Sequence, residues 1–183
     1  SSPAAGDWGN IRFFDESTDA TFSDSTYTSG SIMEYCIVEY GTGLYITYSS
    51  PFVHYSEFRY NSSNGIRVSG TGTYLWVNNC DIHHNSRGVE VYASQTTALF
   101  SYNTIRDNTP DGGGMAGSST FSYNTIKNNY ISVTPDGSTA FSSMGADGIK
   151  LNGNNATNNT IENNVIGNNE AGISLNDSHN NKL

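Results

Sequence analysis

Charge is scarce in this chain. Of 183 residues, 8 are lysine or arginine and 17 are aspartate or glutamate, giving a formal net charge of −9. That balance excludes nucleic acid as a partner, because binding its phosphates takes clustered cations. No apolar run approaches the roughly 20 residues that span a bilayer. The helix formers Ala, Leu, Lys and Glu are thin throughout, so helices should be rare. Disorder is excluded by the opposite test. Disordered chains are highly charged and poor in aromatics, whereas here charged residues are 14% and aromatics 12%, with 12 tyrosines. No signal peptide is visible and the first residue is Ser1 rather than Met, which reads as a processed or excised end.

What fills the chain instead is Gly, Asn, Ser, Thr and Tyr, arranged in a repeat. An apolar residue followed three positions later by Asn or a near substitute recurs six times. The copies are Ile37-Val-Glu-Tyr40, Phe58-Arg-Tyr-Asn61, Ile82-His-His-Asn85, Ile105-Arg-Asp-Asn108, Ile126-Lys-Asn-Asn129 and Ile161-Glu-Asn-Asn164. The steps between the apolar residues are 21, 24, 23, 21 and 35. A period near 22 is the mark of a solenoid.

Two further columns keep phase with the first. Ile32, Val53, Val77, Phe100, Phe121 and Ala156 sit five residues earlier. An apolar–variable–apolar triplet, usually opened by a small residue, reads Ile11-Arg-Phe13, Leu44-Tyr-Ile46, Ile66-Arg-Val68, Val89-Glu-Val91, Ile149-Lys-Leu151 and Ile173-Ser-Leu175, with Met115 in a degenerate copy. Its alternation is that of a strand with two residues inward and one outward. Three short strands per turn, each pairing with its counterpart in the next turn, predict an all-β parallel β-helix of about seven coils. Asn61, Asn85, Asn108, Asn129 and Asn164 form one predicted ladder at the bends, and Asn103, Asn124 and Asn159 another. Asn tolerates left-handed backbone, and stacked amides bond one another. Cys36 and Cys80 fall two repeats apart, about 10 Å along the axis and in different columns, which predicts free buried thiols. The chain reads as one domain, 1–183, with irregular loops at 14–30, 109–117 and 130–147.

The phrases Asn103-Thr-Ile-Arg-Asp-Asn108, Asn124-Thr-Ile-Lys-Asn-Asn129 and Asn159-Thr-Ile-Glu-Asn-Asn164, with Gly148-Ile-Lys-Leu151 and Gly172-Ile-Ser-Leu175, resemble the right-handed parallel β-helix repeat proteins of secreted and cell-surface type. The likeness covers residues 31–183, and 7–30 more loosely. It implies a right-handed, single-stranded β-helix. The relatives it points to include pectate lyases, polygalacturonases, alginate epimerases, NosD-like periplasmic proteins, phage tailspikes and non-catalytic surface proteins, and fold alone does not choose among them.

In carbohydrate-active relatives of this kind the site lies on the outward positions of one strand column. Here that column runs Arg12, Tyr45, Arg67, Glu90, a position near Ala116, Lys150 and Ser174, with Tyr92 and Asn152 beside it. Arg67 and Glu90 are expected to pair across neighbouring strands. One reading is a charge-balanced solvated face. The other is a sugar groove with Tyr45 and Tyr92 as platforms and Arg67, Glu90 and Lys150 as polar contacts. A lyase would need Ca²⁺, which takes six to eight oxygens, and a base. Asp111, Asp136 and Asp147 are the candidate metal ligands. Asp111, Asp147 and Lys150 are the candidate catalytic residues. Otherwise no cofactor is expected. The paired carboxylates of a glycosidase, the Asp-Pro-His of an alginate epimerase, Gly-x-Ser-x-Gly, a phosphate loop and Cys-x-x-Cys are all missing. His83 and His84 are adjacent on a strand and should point to opposite faces, which disfavours a shared metal. Asn61, Asn155, Asn158 and Asn176 open glycosylation sequons.

Asn181-Lys-Leu183 matches Asn159-Thr-Ile161 in phase, so the sequence stops within a coil. Open strand edges there would pair with further coils of a longer parent chain or with neighbouring copies. The expectation is a non-catalytic extracellular or cell-surface module, structural, self-assembling or glycan-contacting, with the periplasm as the second compartment. The alternative is a polysaccharide-active enzyme, a uronate lyase or glycoside hydrolase, working beside the 109–117 and 130–147 loops.

Overall fold

The computed structural model describes residues 2–91, 97–108, 111–115, 120–131, 149–152, 156–167 and 171–183. Among them there are strands and turns and no helix. The strands stack as a parallel β-solenoid. A first sheet runs Asn10–Phe13, Gly43–Thr47, Asn64–Ser69, Arg87–Val91 and Asp111–Met115. A second runs Ile32–Glu34, Phe52–His54, Tyr74–Asn78, Thr97–Ser101 and Thr120–Ser122. The third has six strands: Ile37–Glu39, Glu57–Arg59, Asp81–His83, Thr104–Arg106, Thr125–Lys127 and Thr160–Glu162. Tyr130–Ile131 pairs with Val165–Ile166, and Ile149–Asn152 with Ile173–Asn176, both parallel.

The core is the set of inward columns. Leu44, Ile66 and Val89 stack in one line, Val53, Val77 and Phe100 in another, and Phe58, Ile82, Ile105, Ile126 and Ile161 in a third; all are buried. Each such side chain contributes about 1.5–3 kcal/mol on leaving water, and the identical spacing of coils gives every column the same partner above and below.

The first coil corrects the predicted phase. Val38, not Ile37, stands opposite Phe58, and Met33, not Ile32, opposite Val53. Val38 is 2% exposed and Ile37 57%. A slip of one residue reverses the face of every side chain in a strand, and here Ile37 and Ile32 are the ones turned outward. The corrected phase also places Cys36 in line with Ser56, Cys80 and Asn103, because each residue's carbonyl accepts from the strand one coil on. The two cysteines therefore share a column. They remain two coils apart and free.

Residues 14–30 are not merely an irregular loop. Thr21–Ser23 and Thr26–Ser29 form an antiparallel hairpin. Phe22 lies 5.3 Å from Phe52 and 4.9 Å from Trp76, and Tyr27 stacks on Phe52 at 5.9 Å. The hairpin thus covers aromatic side chains on the outer face of the second sheet. The Asp19 carboxylate anchors it by accepting the Ser50 N–H at 2.7 Å. Within 109–117, residues Asp111–Met115 form a regular strand that pairs with Arg87–Val91. Gly114 is the partner of Glu90, so the outward column continues at Gly114 rather than near Ala116.

Both bends that flank the third sheet use left-handed backbone. At the entry, Tyr35, Tyr55, Asn79, Tyr102, Tyr123, Asn158 and Asn180 have φ between 42° and 57°. At the exit, Tyr40, Tyr60, His84, Asp107, Asn128 and Asn163 have φ between 51° and 60°. Behind each bend sit buried asparagines. The Asn103 Nδ2 donates to Val77 O at 3.1 Å and to Asn124 Oδ1 at 3.0 Å, while its Oδ1 accepts the Cys80 N–H at 2.8 Å. Asn61, Asn85, Asn108, Asn129 and Asn164 repeat that pattern at the exit. Turning the chain sharply strands backbone N–H and C=O groups inside the wall, and these amides satisfy them.

Candidate functional site

The outward column of the first sheet brings Tyr45, Arg67 and Glu90 together in register. The Arg67 guanidinium lies over the Tyr45 ring, 5.5 Å from its centroid, and its Nε is 3.8 Å from Glu90 Oε2. Glu90 is 8% exposed. Its carboxylate accepts from Asn64 Nδ2 at 2.9 Å and from Arg87 Nη1 at 3.1 Å. Buried and held on several sides, Glu90 is a fixed counter-ion in the wall of the solenoid. Asp111 opens the strand opposite Arg87, and Lys150 is paired with Ser174. Their side chains, together with Tyr92, Asp136 and Asp147, lie outside the described residues.

Asn61 is corrected as a glycosylation site. It is 2% exposed, and its Nδ2 donates to Val38 O and to Asn85 Oδ1. A glycan there would replace one of the two Nδ2 hydrogens that make these bonds, at a position with no room for a sugar. Asn158 is partly open at its left-handed bend, Asn155 is outside the described residues, and Asn176 ends a strand whose side chain there is likewise outside them.

The third sheet carries a richer outer face. One outward column reads Glu39, Arg59, His83, Arg106, Lys127 and Glu162, and beside it stand Glu57, Asp81 and three threonines. Arg59 donates to Glu39 at 2.7 Å and to Glu57 at 2.8 Å. Arg106 grips Asp81 with two bonds, at 3.1 and 2.7 Å, and reaches Asp107 at 2.8 Å. Burial pushes the Glu57 carboxyl up, but the hydrogen bonds and charges of His83 and Arg59 outweigh it and hold the group below the usual carboxylate range. A proton-donating carboxyl needs the opposite shift. The guanidinium of Arg106 is held above its ordinary range, first by its hydrogen bond to Asp81.

His83 and His84 do meet, against expectation. Nδ1 of one lies 2.7 Å from Nδ1 of the other, because His84 occupies the left-handed bend (φ 52°) and swings back over its neighbour. Nε2 of His83 lies 2.8 Å from Glu57 Oε1. Among the described residues, no group of three or more His, Cys, Asp and Glu is placed to hold a metal ion.

Tyrosines frame this sheet on both sides. Tyr35 stacks on Tyr55 (5.4 Å, 8°) and Tyr102 on Tyr123 (5.1 Å, 10°) at the entry bend; Tyr40 stacks on Tyr60 (5.7 Å, 9°) at the exit. Tyr35, Tyr55, Tyr102 and Tyr123 are between 47% and 74% exposed. A bulky residue in the left-handed region is an outlier, costing about 1–2 kcal/mol, against about 0.5–1.5 kcal/mol returned by an aromatic pair. Both members of each pair carry that strain, so stacking returns less than half of it, and the entry-bend rings stay about half exposed or more. The signal was in the sequence. In the corrected phase the entry tyrosines all lie three residues before the apolar column, but the one-residue slip at Ile37 hid Tyr35 from the set.

A family model described as a right handed beta helix region matches residues 11–183. Comparison with curated proteins and with solved structures gives no match. With nearly the whole chain matched and parallel sheets stacked as a solenoid, the chain belongs to the right-handed β-helix family.

Proposed function

We propose that this chain is a non-catalytic β-helix module of an extracellular or cell-surface protein, contacting glycan through the tyrosine-framed outer face of the third sheet. The observation that carries the reading is the pairing of the exposed entry-bend tyrosine stacks with a sheet on which Arg59 and Arg106 neutralise the acids around them. Glu39, Glu57, Asp81 and Asp107 are each held by a guanidinium. Phenol rings offer an apolar body and a polar tip, the combination that suits a sugar's mixed surface. A net charge of −9 favours neutral glycans over uronate polymers. The scaffold in this reading is a helix of about seven coils with asparagine ladders at the turns, continued by further coils or by copies of itself. Asn158, Asn155 and Asn176 are its glycan acceptors.

The test pairs binding with turnover. The protein is incubated with polygalacturonate, alginate and a neutral β-glucan, with and without Ca²⁺. The expected result is retardation in a β-glucan gel with no new reducing ends and no unsaturated uronate. Turnover that disappears in an Asp147→Ala, Lys150→Ala double variant would put the polysaccharide-active enzyme in its place.

A further inference from the structure

The tyrosine stacks have a chemistry of their own. Each is a pair from successive coils, with ring planes within 10° of parallel and centroids 5.1–5.7 Å apart. In-register parallel strands fix the two backbones about 4.8 Å apart, so the partners cannot drift away from one another. Each run of tyrosine also stops at two. Asn79 follows Tyr55 in its column and His84 follows Tyr60. A radical formed on one ring therefore has one phenol within reach.

We propose that Tyr35–Tyr55, Tyr40–Tyr60 and Tyr102–Tyr123 are sites of oxidative tyrosine coupling, each bridge a covalent staple between adjacent coils. The oxidant class is hydrogen peroxide acting through a haem peroxidase. Each phenol gives up one electron and its hydroxyl proton. The two tyrosyl radicals join ortho carbon to ortho carbon, and the ortho hydrogens then shift to the phenolic oxygens and restore both rings. Two phenols lose two hydrogens in all, and one peroxide becomes two waters. Holding the partners together replaces a bimolecular encounter with an intramolecular one, which favours bridging within the chain over coupling between chains. Tyr102–Tyr123 couples first. It has the shortest separation of the three, whereas Arg59 sits 5.9 Å over the Tyr60 ring and opposes removal of an electron from it.

The experiment treats the dilute chain with a haem peroxidase and limiting hydrogen peroxide. Expected is dityrosine fluorescence in the monomer band of a denaturing gel, with a mass loss of two hydrogens per bridge. Peptide mapping should place the bridges at the stacked pairs. Tyr48 and Tyr74 are internal controls, 55% and 56% exposed but not stacked on a tyrosine among the described residues. A triple variant, Tyr55→Phe, Tyr60→Phe, Tyr123→Phe, keeps the rings and loses the monomer fluorescence. The proposal is overturned by dityrosine confined to cross-linked dimers, by bridges at Tyr48 or Tyr74 as often as at the stacks, by a triple variant that fluoresces like the parent, or by no coupling under conditions that couple free tyrosine.

Discussion

Asn129 Oδ1 accepts two hydrogen bonds from Asn108, one from its backbone N–H and one from its Nδ2, both at 3.1 Å. Asn108 in turn accepts two from Asn85, at 3.0 and 3.1 Å, and donates to Ile82 O at 3.0 Å. Each amide thus serves the coil before and the coil after it.

Asn108→Ala removes an acceptor from Asn85 and donors from Ile82 and Asn129, in a site of 0% exposure. At about 1–3 kcal/mol per unsatisfied group, the expected loss is at least about 3 kcal/mol. Asn128→Ala, at the exposed left-handed bend next door, costs about 1 kcal/mol for the conformation alone. Urea unfolding of the two variants checks the ratio.

The repeat was legible because stacking makes each coil face the same environment, so the same residue types recur in phase. The inward columns from Phe58 onward and the register of Arg67 with Glu90 follow from that. The first coil misled because Ile37 and Val38 are both apolar β-formers, and pattern alone cannot choose between neighbours of one kind. What chooses is the bend: Tyr40 takes φ 60° and Gly41 then donates its N–H to Asn61 Oδ1 at 3.1 Å, filling the position that asparagine holds in later coils. The hairpin at Thr21–Ser29 was illegible for a different reason. It pairs with itself, and its apolar partners, Phe52 and Trp76, occupy outward positions that in a solenoid repeat ordinarily face solvent. The tyrosine face is harder to read, because the slip at Ile37 takes Tyr35 out of line with Tyr55, Tyr102 and Tyr123 and because tyrosine at a left-handed bend runs against residue preference.

Acid should weaken the fold in two stages. His84 sits below its ordinary 6.5, through burial first and then the neighbouring His83. Glu57 sits below its ordinary 4.5. In both cases the unfolded chain binds the proton more readily, so stability is full above the ordinary value and falls as pH drops through it toward the lower folded value. His84→Asn, the residue type used at this bend in later coils, should remove the upper stage and leave the lower. A denaturant midpoint followed from pH 8 to pH 3, at roughly unit steps, reports both.

The two thiols should behave differently despite sharing a column. Burial pushes the Cys80 thiol up to about 12, and thiolate is the reactive form. Cys36 is partly exposed. An alkylating reagent at neutral pH should label Cys36 in the native chain and reach Cys80 only after unfolding. Equal native labelling would contradict the packing of the core around Cys80.

Gly43 opens a strand at φ 107°, and a Cβ there would lie 1.7 Å from Asn64 O. Gly43→Ala must displace the next coil and is expected to cost about 2 kcal/mol or more. Gly72 has φ 78° with nothing within 4 Å of the added carbon. Gly72→Ala carries only the conformational term of about 1 kcal/mol. The difference between their thermal midpoints isolates the close approach of successive coils.

Retardation in a neutral β-glucan gel, compared between the parent chain and a Tyr55→Ala, Tyr102→Ala variant, tests the central claim most directly. Both positions are exposed bend residues, so the fold should survive the change with a small loss of stability. The account predicts that the parent is retarded, that the glucan stays intact, and that the variant migrates as it does without polysaccharide. Equal retardation of parent and variant, or release of sugar by either, would contradict it.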